Sequence, residues 1–118
     1  MSIDDISYKG VEVQLDKIRH IKYTFAGMRI ILKQYGTLQN ALNILEKMGN
    51  SDLTEEGLDI LSTLIYAGLI HEDEELTQKK AENIIEFRSI TKLTNALTEA
   101  LSGSLPEGGE GKNFPNPV

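Results

Sequence analysis

The residues most suggestive of chemistry are a histidine and the four acids that follow it, at positions 71–75. Metal sites on helices take ligands at i and i+3 or i+4, and calcium loops alternate oxygen ligands around a glycine. The run has neither spacing, and the other histidine, His20, lies 51 positions before His71. We therefore expect no metal site, and interpret the run as a solvated loop whose negative charge favours the start of a helix at Thr77.

Nucleophilic catalysis needs a hydroxyl or thiol beside a base, and a third group that orients the base. The chain has no cysteine and two histidines, and none of its serines lies in a G-x-S-x-G turn. The glycine cluster at 108–111 has no helix after it that could bind a phosphate. Glu55 and Glu56 are adjacent on a predicted helix, so their carboxylates point apart. These patterns favour a protein that is not an enzyme and that holds no cofactor.

The charge of the chain disfavours nucleic acid as a partner. The formal net charge is −6 and the isoelectric point is about 4.9, whereas nucleic-acid binding depends on lysine and arginine that neutralise phosphates. A helix-turn-helix protein also needs basic or amide side chains on its recognition helix. The helix predicted after Gly36 offers Gln39, Asn40 and Asn43 but only one lysine. A small acidic DNA-associated regulator therefore stays an alternative that the composition disfavours.

The charge is also unevenly distributed along the chain. Residues 1–47 hold seven Lys and Arg against five Asp and Glu, and residues 48–118 hold five against thirteen, so the two parts carry +2 and −8. This asymmetry favours self-association, or the orientation of a partner with complementary charge, and salt should weaken either. A solvated surface with chance asymmetry is the alternative.

The composition indicates an ordinary globular protein. Hydrophobic residues make up 40% of the chain and charged residues 25%. The longest apolar run, at 64–70, is seven residues long, whereas a membrane-spanning helix needs about 20. The first ten residues contain two acids and no apolar segment of the kind that a secretory signal has. We therefore expect a cytoplasmic protein with no membrane contact.

Apolar and polar residues alternate near the N-terminus, which predicts a β-hairpin. The apolar members of the alternation are Val11, Val13, Leu15, Ile21 and Tyr23. A turn near Asp16 and Lys17 would join the two strands, although Ile18 and His20 fit this register less clearly.

Helical spacing begins at Thr24 and predicts three helices, which end at Gly36, at Gly49, and at Gly68 or about Leu69. Thr37 is the expected cap of the second helix, and residues 50–52 offer caps for the third. The third helix is apolar on more than one face and is expected at the centre of the fold. The predicted stripes are Phe25, Met28, Ile31, Leu32 and Tyr35; Leu38, Leu42, Leu45 and Met48; and Leu58, Leu61, Leu64, Ile65 and Leu69.

Thr77 is expected to cap a helix that carries Ala81, and helical spacing returns from Ile90 to Leu101. The sequence leaves open whether residues 88–91 separate two helices. Residues 107–118 contain three glycines and two prolines with little to bury, which is typical of a flexible tail. The predicted fold is a mostly α domain at 1–106, with about five helices and a short N-terminal β-hairpin, followed by the tail.

Two segments of the chain resemble the tail assembly chaperones of long-tailed bacteriophages, or siphophages. The segments are residues 61–77, LSTLIYAGLIHEDEELT, and residues 90–106, ITKLTNALTEALSGSLP, and the similarity extends over most of residues 10–106. Glu74 departs from the pattern, because many relatives have proline there. The residues that carry the resemblance are Tyr66, Ala67, Gly68, Leu69, His71, Glu72, Asp73, Leu76, Thr77, Glu99, Ala100, Leu101, Ser104, Leu105 and Pro106.

The resemblance implies a non-catalytic phage or prophage protein of the bacterial host cytoplasm. Such a chaperone binds the long tape-measure protein, keeps its apolar stripes from aggregating and helps tail-tube subunits to assemble around it. The family also implies absence from the mature virion. In many relatives a ribosomal frameshift produces a longer form, whose extension contacts the tail-tube protein.

A tape-measure helix would bind to surplus apolar surface on the chaperone's own helices. The expected contact residues are Tyr66, Leu69, Ile70, Leu93, Leu97 and Leu101, with the alternative that all six belong to the core. A tail structural component of the terminator or connector type is the other phage function that the sequence leaves open.

Overall fold

A two-stranded hairpin precedes five α-helices in the computed structural model, which describes residues 9–50 and 53–104. The mostly helical architecture predicted from the sequence is confirmed. The predicted flexible tail at 107–118 lies outside the described residues. The elements are β1 (Val11–Gln14), β2 (Ile18–Ile21), α1 (Phe25–Tyr35), α2 (Leu38–Asn50), α3 (Glu55–Leu69), α4 (Gln78–Ile84), a 3₁₀ helix (Phe87–Ser89) and α5 (Ile90–Ser104). The 3₁₀ helix answers the open question at 88–91, because it separates α4 from α5.

The hairpin is antiparallel, with Val11 opposite Ile21 and Gln14 opposite Ile18. Its inward face carries Val13 and Ile21, as the alternation predicts. The inward position opposite Val13 is occupied by Arg19, and Ile18 points to solvent. This explains why Ile18 fits the predicted register poorly: the second strand buries a charged residue where the pattern calls for an apolar one.

Threonine residues cap four of the helices through the same contact. Each threonine hydroxyl accepts a hydrogen bond from the backbone N–H three residues later, at 3.0 to 3.2 Å. The expected caps Thr37 and Thr77 are confirmed. The cap of α3 is Thr54 and not a residue of the segment 50–52, because α2 continues as far as Asn50. The pairs are Thr24–Gly27, Thr37–Asn40, Thr54–Gly57 and Thr77–Lys80.

Helix α3 lies at the centre of the fold, as predicted. It contacts α1, α2, α4, α5 and β2, and ten of its 15 residues are buried. Burial of apolar surface on this helix is therefore the main source of stability. Glu55 and Glu56 occupy its first turn, where they complement the positive end of the helix dipole.

Helix α3 ends at Leu69, within one residue of the predicted end, and Gly68 lies inside its last turn in ordinary helical geometry. A Cβ atom at Gly68 would lie 2.6 Å from Ile21 Cγ2 and 3.2 Å from the Tyr23 hydroxyl. The glycine therefore lets the hairpin approach the helix, and its carbonyl accepts the N–H of Lys22 at 2.9 Å. Gly36 is a true left-handed stop, since its φ is 85°.

Three predicted stripe residues lie at the surface. Phe25 is 83% exposed, Leu32 41% and Leu58 39%. Helix α1 packs against α3 through Gly27, where a Cβ atom would lie 2.5 Å from the Ala67 carbonyl oxygen. Hydrophobic periodicity does not detect a contact made by a glycine, so the predicted inward face of α1 was rotated from the true one.

Candidate functional site

The six residues predicted to bind a partner fall into two groups. Leu69, Leu93, Leu97 and Leu101 are buried in the core and have almost no accessible surface in the folded domain. A partner would therefore have to contact other, more exposed side chains. Tyr66 and Ile70 are half-buried, and their contact with a partner stays a prediction.

The run at 71–75 holds the second strand of the hairpin. His71 Nε2 lies 2.7 Å from the carbonyl oxygen of His20. Glu72 Oε1 accepts the backbone N–H of His20 at 2.8 Å, and Glu72 Oε2 lies 3.4 Å from His20 Nδ1. Residues 71–75 form a loop in which Glu72, Glu74 and Glu75 are exposed, as the sequence predicts. The contacts of this loop with β2 were not predicted, and they bring together two histidines that are distant in sequence. Within residues 9–50 and 53–104, no group of three or more His, Cys, Asp or Glu is placed to hold a metal ion.

Arg19 connects the same loop to the hairpin turn. Its guanidinium donates to both carboxylate oxygens of Asp16, at 2.7 and 2.9 Å, and to Asp73 Oδ2 at 3.1 Å. The hydrogen bonds from Arg19 lower the pKa of Asp16 and of Asp73, and the bond to Asp16 raises the pKa of Arg19. The Arg19 side chain is 6% exposed, whereas those of Asp16 and Asp73 are 40% and 28% exposed, so a buried guanidinium pairs with carboxylates that water still reaches. These contacts are structural, since each charged group binds another.

A buried polar cluster joins α1, α3 and α4 around Thr63, which is fully buried. Thr63 Oγ1 lies 2.8 Å from Gln78 Nε2, 3.2 Å from Gln34 Nε2 and 3.4 Å from the Tyr35 hydroxyl. The side chains of Gln34 and Gln78 both donate to this oxygen. The cluster therefore satisfies a buried hydroxyl and sets the positions of three helices.

The Tyr35 hydroxyl donates to Asp59 Oδ2 at 2.6 Å. Burial, together with this hydrogen bond, raises the pKa of Tyr35 to about 12. Tyr35 is therefore neutral and Asp59 is its acceptor, which attaches the end of α1 to the middle of α3.

An open groove of about 520 Å³ separates α2 from α5 and is named here the α2–α5 groove. Its apolar lining consists of Leu42, which is half-buried, and Leu45, which is buried beneath it. Thr94 and Thr98 form the α5 side of the groove. They directly follow Leu93 and Leu97, the two buried leucines that were predicted from the sequence to contact a partner. Among the residues that the structure describes, Glu46 is the only charged one at the rim. The described lining is Gln39, Leu42, Asn43, Leu45, Glu46, Thr94 and Thr98.

A second groove, of about 300 Å³, lies where α3, α4 and the 3₁₀ helix meet, and is named here the acidic groove. Its apolar part includes Leu58 and Phe87, and Phe87 is 65% exposed. Three carboxylates, those of Glu55, Asp59 and Glu82, surround this apolar surface. No sequence pattern predicts the groove, because its residues come together only when α4 packs against α3.

Every helix within the described part of the chain is too short or too polar to cross a lipid bilayer. In comparisons with known proteins, no family model, no curated protein and no solved structure matches this chain.

Proposed function

We propose that this protein is a siphophage or prophage tail assembly chaperone, which binds the tape-measure protein and assists tail-tube assembly without catalysis. The resemblance at residues 61–77 and 90–106 supports the identity of the client. The α2–α5 groove is the observation that carries the proposal, because it gives a folded domain an open apolar surface beside one of these two segments.

The α2–α5 groove suits a helical client. In helix-in-groove recognition, apolar side chains at i, i+3, i+4 and i+7 of one helix enter a groove between two others. The half-buried Leu42 supplies apolar surface on the α2 side, above the buried Leu45, and Thr94 and Thr98 line the groove along α5. Since most of the rim is uncharged, the groove can accept successive stripes of a long client whose polar faces differ in charge.

The proposed contact residues on α5 are the neighbours of the buried leucines, and not the leucines themselves. Leu93 and Leu97 hold α5 in the core, and Thr94 and Thr98, one position later, face the groove. The Thr98 hydroxyl donates to the Thr94 carbonyl oxygen at 3.0 Å, so its polar atom is satisfied within the helix when an apolar group packs against its methyl. Tyr66 and Ile70 are proposed as a second, smaller contact surface.

The function is tested by co-expressing the neighbouring tape-measure gene with and without this chain. The tape measure is expected to be soluble and to co-purify with this chain when both are made, and to aggregate alone. Equal solubility in both cultures, with no complex recovered, would contradict the proposal.

Two further measurements separate the alternatives, and a third tests for the longer form. The chaperone is expected in the host cytoplasm and missing from purified virions, whereas a tail structural component would be found in the particles. A retarded DNA band at moderate salt would instead favour the acidic regulator. Mass spectrometry of infected cells would detect a longer frameshifted form bound to the tail-tube protein.

A further inference from the structure

The exposed side of α1 combines apolar and basic residues and is named here the basic face. It consists of Phe25, Arg29, Leu32 and Lys33, which are spaced at i, i+4, i+7 and i+8 and so share one side of the helix. All four are exposed. Within the described part of the chain, neither Arg29 nor Lys33 has an ion-pair partner. Phe25 is 83% exposed and Leu32 41%, so this side of α1 presents two large apolar side chains next to two cations. Apolar surface bordered by charged groups is typical of a surface that contacts another protein.

The acidic groove has the opposite charge and the same mixture of apolar and charged groups. Leu58 and Phe87 offer apolar surface at its mouth, and the carboxylates of Glu55, Asp59 and Glu82 surround them. Glu55 and Glu82 have no ion-pair partner among the described residues. An apolar side chain flanked by cations is therefore the group that this groove fits best.

We propose that the basic face of one copy of this protein docks in the acidic groove of a second copy. Phe25 and Leu32 would contact Leu58 and Phe87, while Arg29 and Lys33 would pair with the carboxylates at the rim. The occupant is taken to be a second copy because the same chain carries both complementary surfaces. This inference does not depend on the identity of the client.

The contact is head-to-tail, since it joins two different surfaces. Each added copy leaves one basic face and one acidic groove unoccupied, so association continues until the copies close into a ring or form an open chain. The α2–α5 groove uses none of these residues and stays available in every copy. A row of copies would then bind a long partner with a combined strength that no single copy reaches.

Salt should weaken the association. The Debye length is about 10 Å at 0.1 M salt and about 3 Å at 1 M, so high salt screens the exposed charges of both surfaces. The wild-type protein is expected to sediment as a concentration-dependent mixture at low salt. At 1 M salt it should shift towards the monomer, with the apolar contacts alone remaining.

Charge reversal tests both surfaces at once. Arg29→Glu with Lys33→Glu reverses the basic face, and Glu55→Lys with Glu82→Lys reverses the groove. Each double variant alone brings like charges together and is expected to weaken self-association at least tenfold. When the two are mixed, the reversed face of one meets the reversed groove of the other, and the wild-type pairing forms at the alternate junctions. Mixing is therefore expected to restore association to near the wild-type level.

Two control variants have the same net charges as the two charge-reversal variants but leave the basic face and the acidic groove unchanged. Lys79→Glu with Lys92→Glu takes the net charge from −6 to −10, as the basic-face variant does. Glu74→Lys with Glu99→Lys takes it from −6 to −2, as the groove variant does. All four positions are exposed. Both controls are expected to associate like the wild-type protein.

Circular dichroism and thermal unfolding establish that each variant is folded. Should either charge-reversal variant fail to fold, Phe25→Ser provides the test, since an 83% exposed side chain contributes little to the fold and its loss should still weaken association. Any of three results would overturn the proposal: a wild-type protein that is monomeric at all concentrations at low salt, controls as weak as the reversed variants, or a mixture that stays monomeric.

Discussion

His20 and Glu72, which are 52 positions apart, are joined at two points: the His20 backbone N–H donates to Glu72 Oε1 at 2.8 Å, and His20 Nδ1 lies 3.4 Å from Glu72 Oε2. His20 lies in β2, and the two strands of the hairpin pair only with each other within the described residues. An isolated two-stranded hairpin is marginal in water. The loop after α3 therefore supports the hairpin. It hydrogen-bonds the backbone N–H and carbonyl oxygen of His20, on the edge of β2 that does not pair with β1.

Replacing Glu72 tests this attachment. Glu72→Ala removes the acceptor of the His20 N–H, and we expect the free energy of unfolding to fall by about 1 kcal/mol, the usual net worth of such a hydrogen bond. Urea denaturation measures the loss. Glu74→Ala is the matched control, because Glu74 is exposed, and its effect should stay within about 0.5 kcal/mol. Equal effects at the two positions would show that the loop does not hold the strand.

Acid should weaken the fold through the Arg19 contacts. The pKa values of Asp16 and Asp73 are lowered, so their contribution to stability is present above the ordinary carboxyl pKa of about 4 and is lost as the pH falls below it. Arg19→Met should be less stable at neutral pH, and its free energy of unfolding should change less between pH 5 and pH 3. Urea titrations at several pH values measure both effects.

Arg88→Met is the control for Arg19→Met, since Arg88 pairs with Glu86 at the surface and both side chains are mostly exposed. It should leave stability and its pH dependence near those of the wild-type protein. If the free energy of unfolding of Arg19→Met changes with pH as much as that of the wild-type protein, the acid-sensitive groups are not Asp16 and Asp73.

Gly68→Ala tests the close contact between α3 and the hairpin. A Cβ atom 2.6 Å from Ile21 Cγ2 forces the strand away from the helix, and we expect a loss of about 1 to 3 kcal/mol, the usual cost of overpacking. Gly57→Ala in the same helix is the control, because its Cβ would meet the flexible Met48 side chain at 3.0 Å. There the gain in helix propensity offsets the contact. A Gly68→Ala variant as stable as Gly57→Ala would contradict the packing account.

Sequence periodicity was sufficient for the elements of this fold and insufficient for its surfaces. Thr37 and Thr77 were identified as caps because capping depends on residues three positions apart. Gly27 and Gly68 make their contacts by lacking a side chain, which no hydrophobic pattern records. The two leucines Leu93 and Leu97 were correctly placed on one face of a helix, but which face is buried depends on the packing of α2 against α5.

The long-range contacts explain the other differences. Glu72 and His20 meet only because the chain reverses after α3 and returns to β2, and local spacing carries no information about that return. The same is true of the two grooves, each of which takes residues from helices distant in the chain. Thr94 and Thr98 are four positions apart and therefore share one face of α5. This polar face is the one sequence signal that would have suggested an exposed surface beside α2.

The proposed binding of a tape-measure helix in the α2–α5 groove is tested most directly by obstructing that groove. Thr98→Arg places a long charged side chain over Leu42 and Leu45, while Asn95→Arg puts the same side chain on the exposed side of α5. Binding of the purified variants to the co-expressed tape measure is measured after thermal unfolding has shown that both are folded. We predict at least a tenfold weaker affinity for Thr98→Arg and wild-type affinity for Asn95→Arg. Equal, wild-type affinity in both variants would contradict the assignment of the groove.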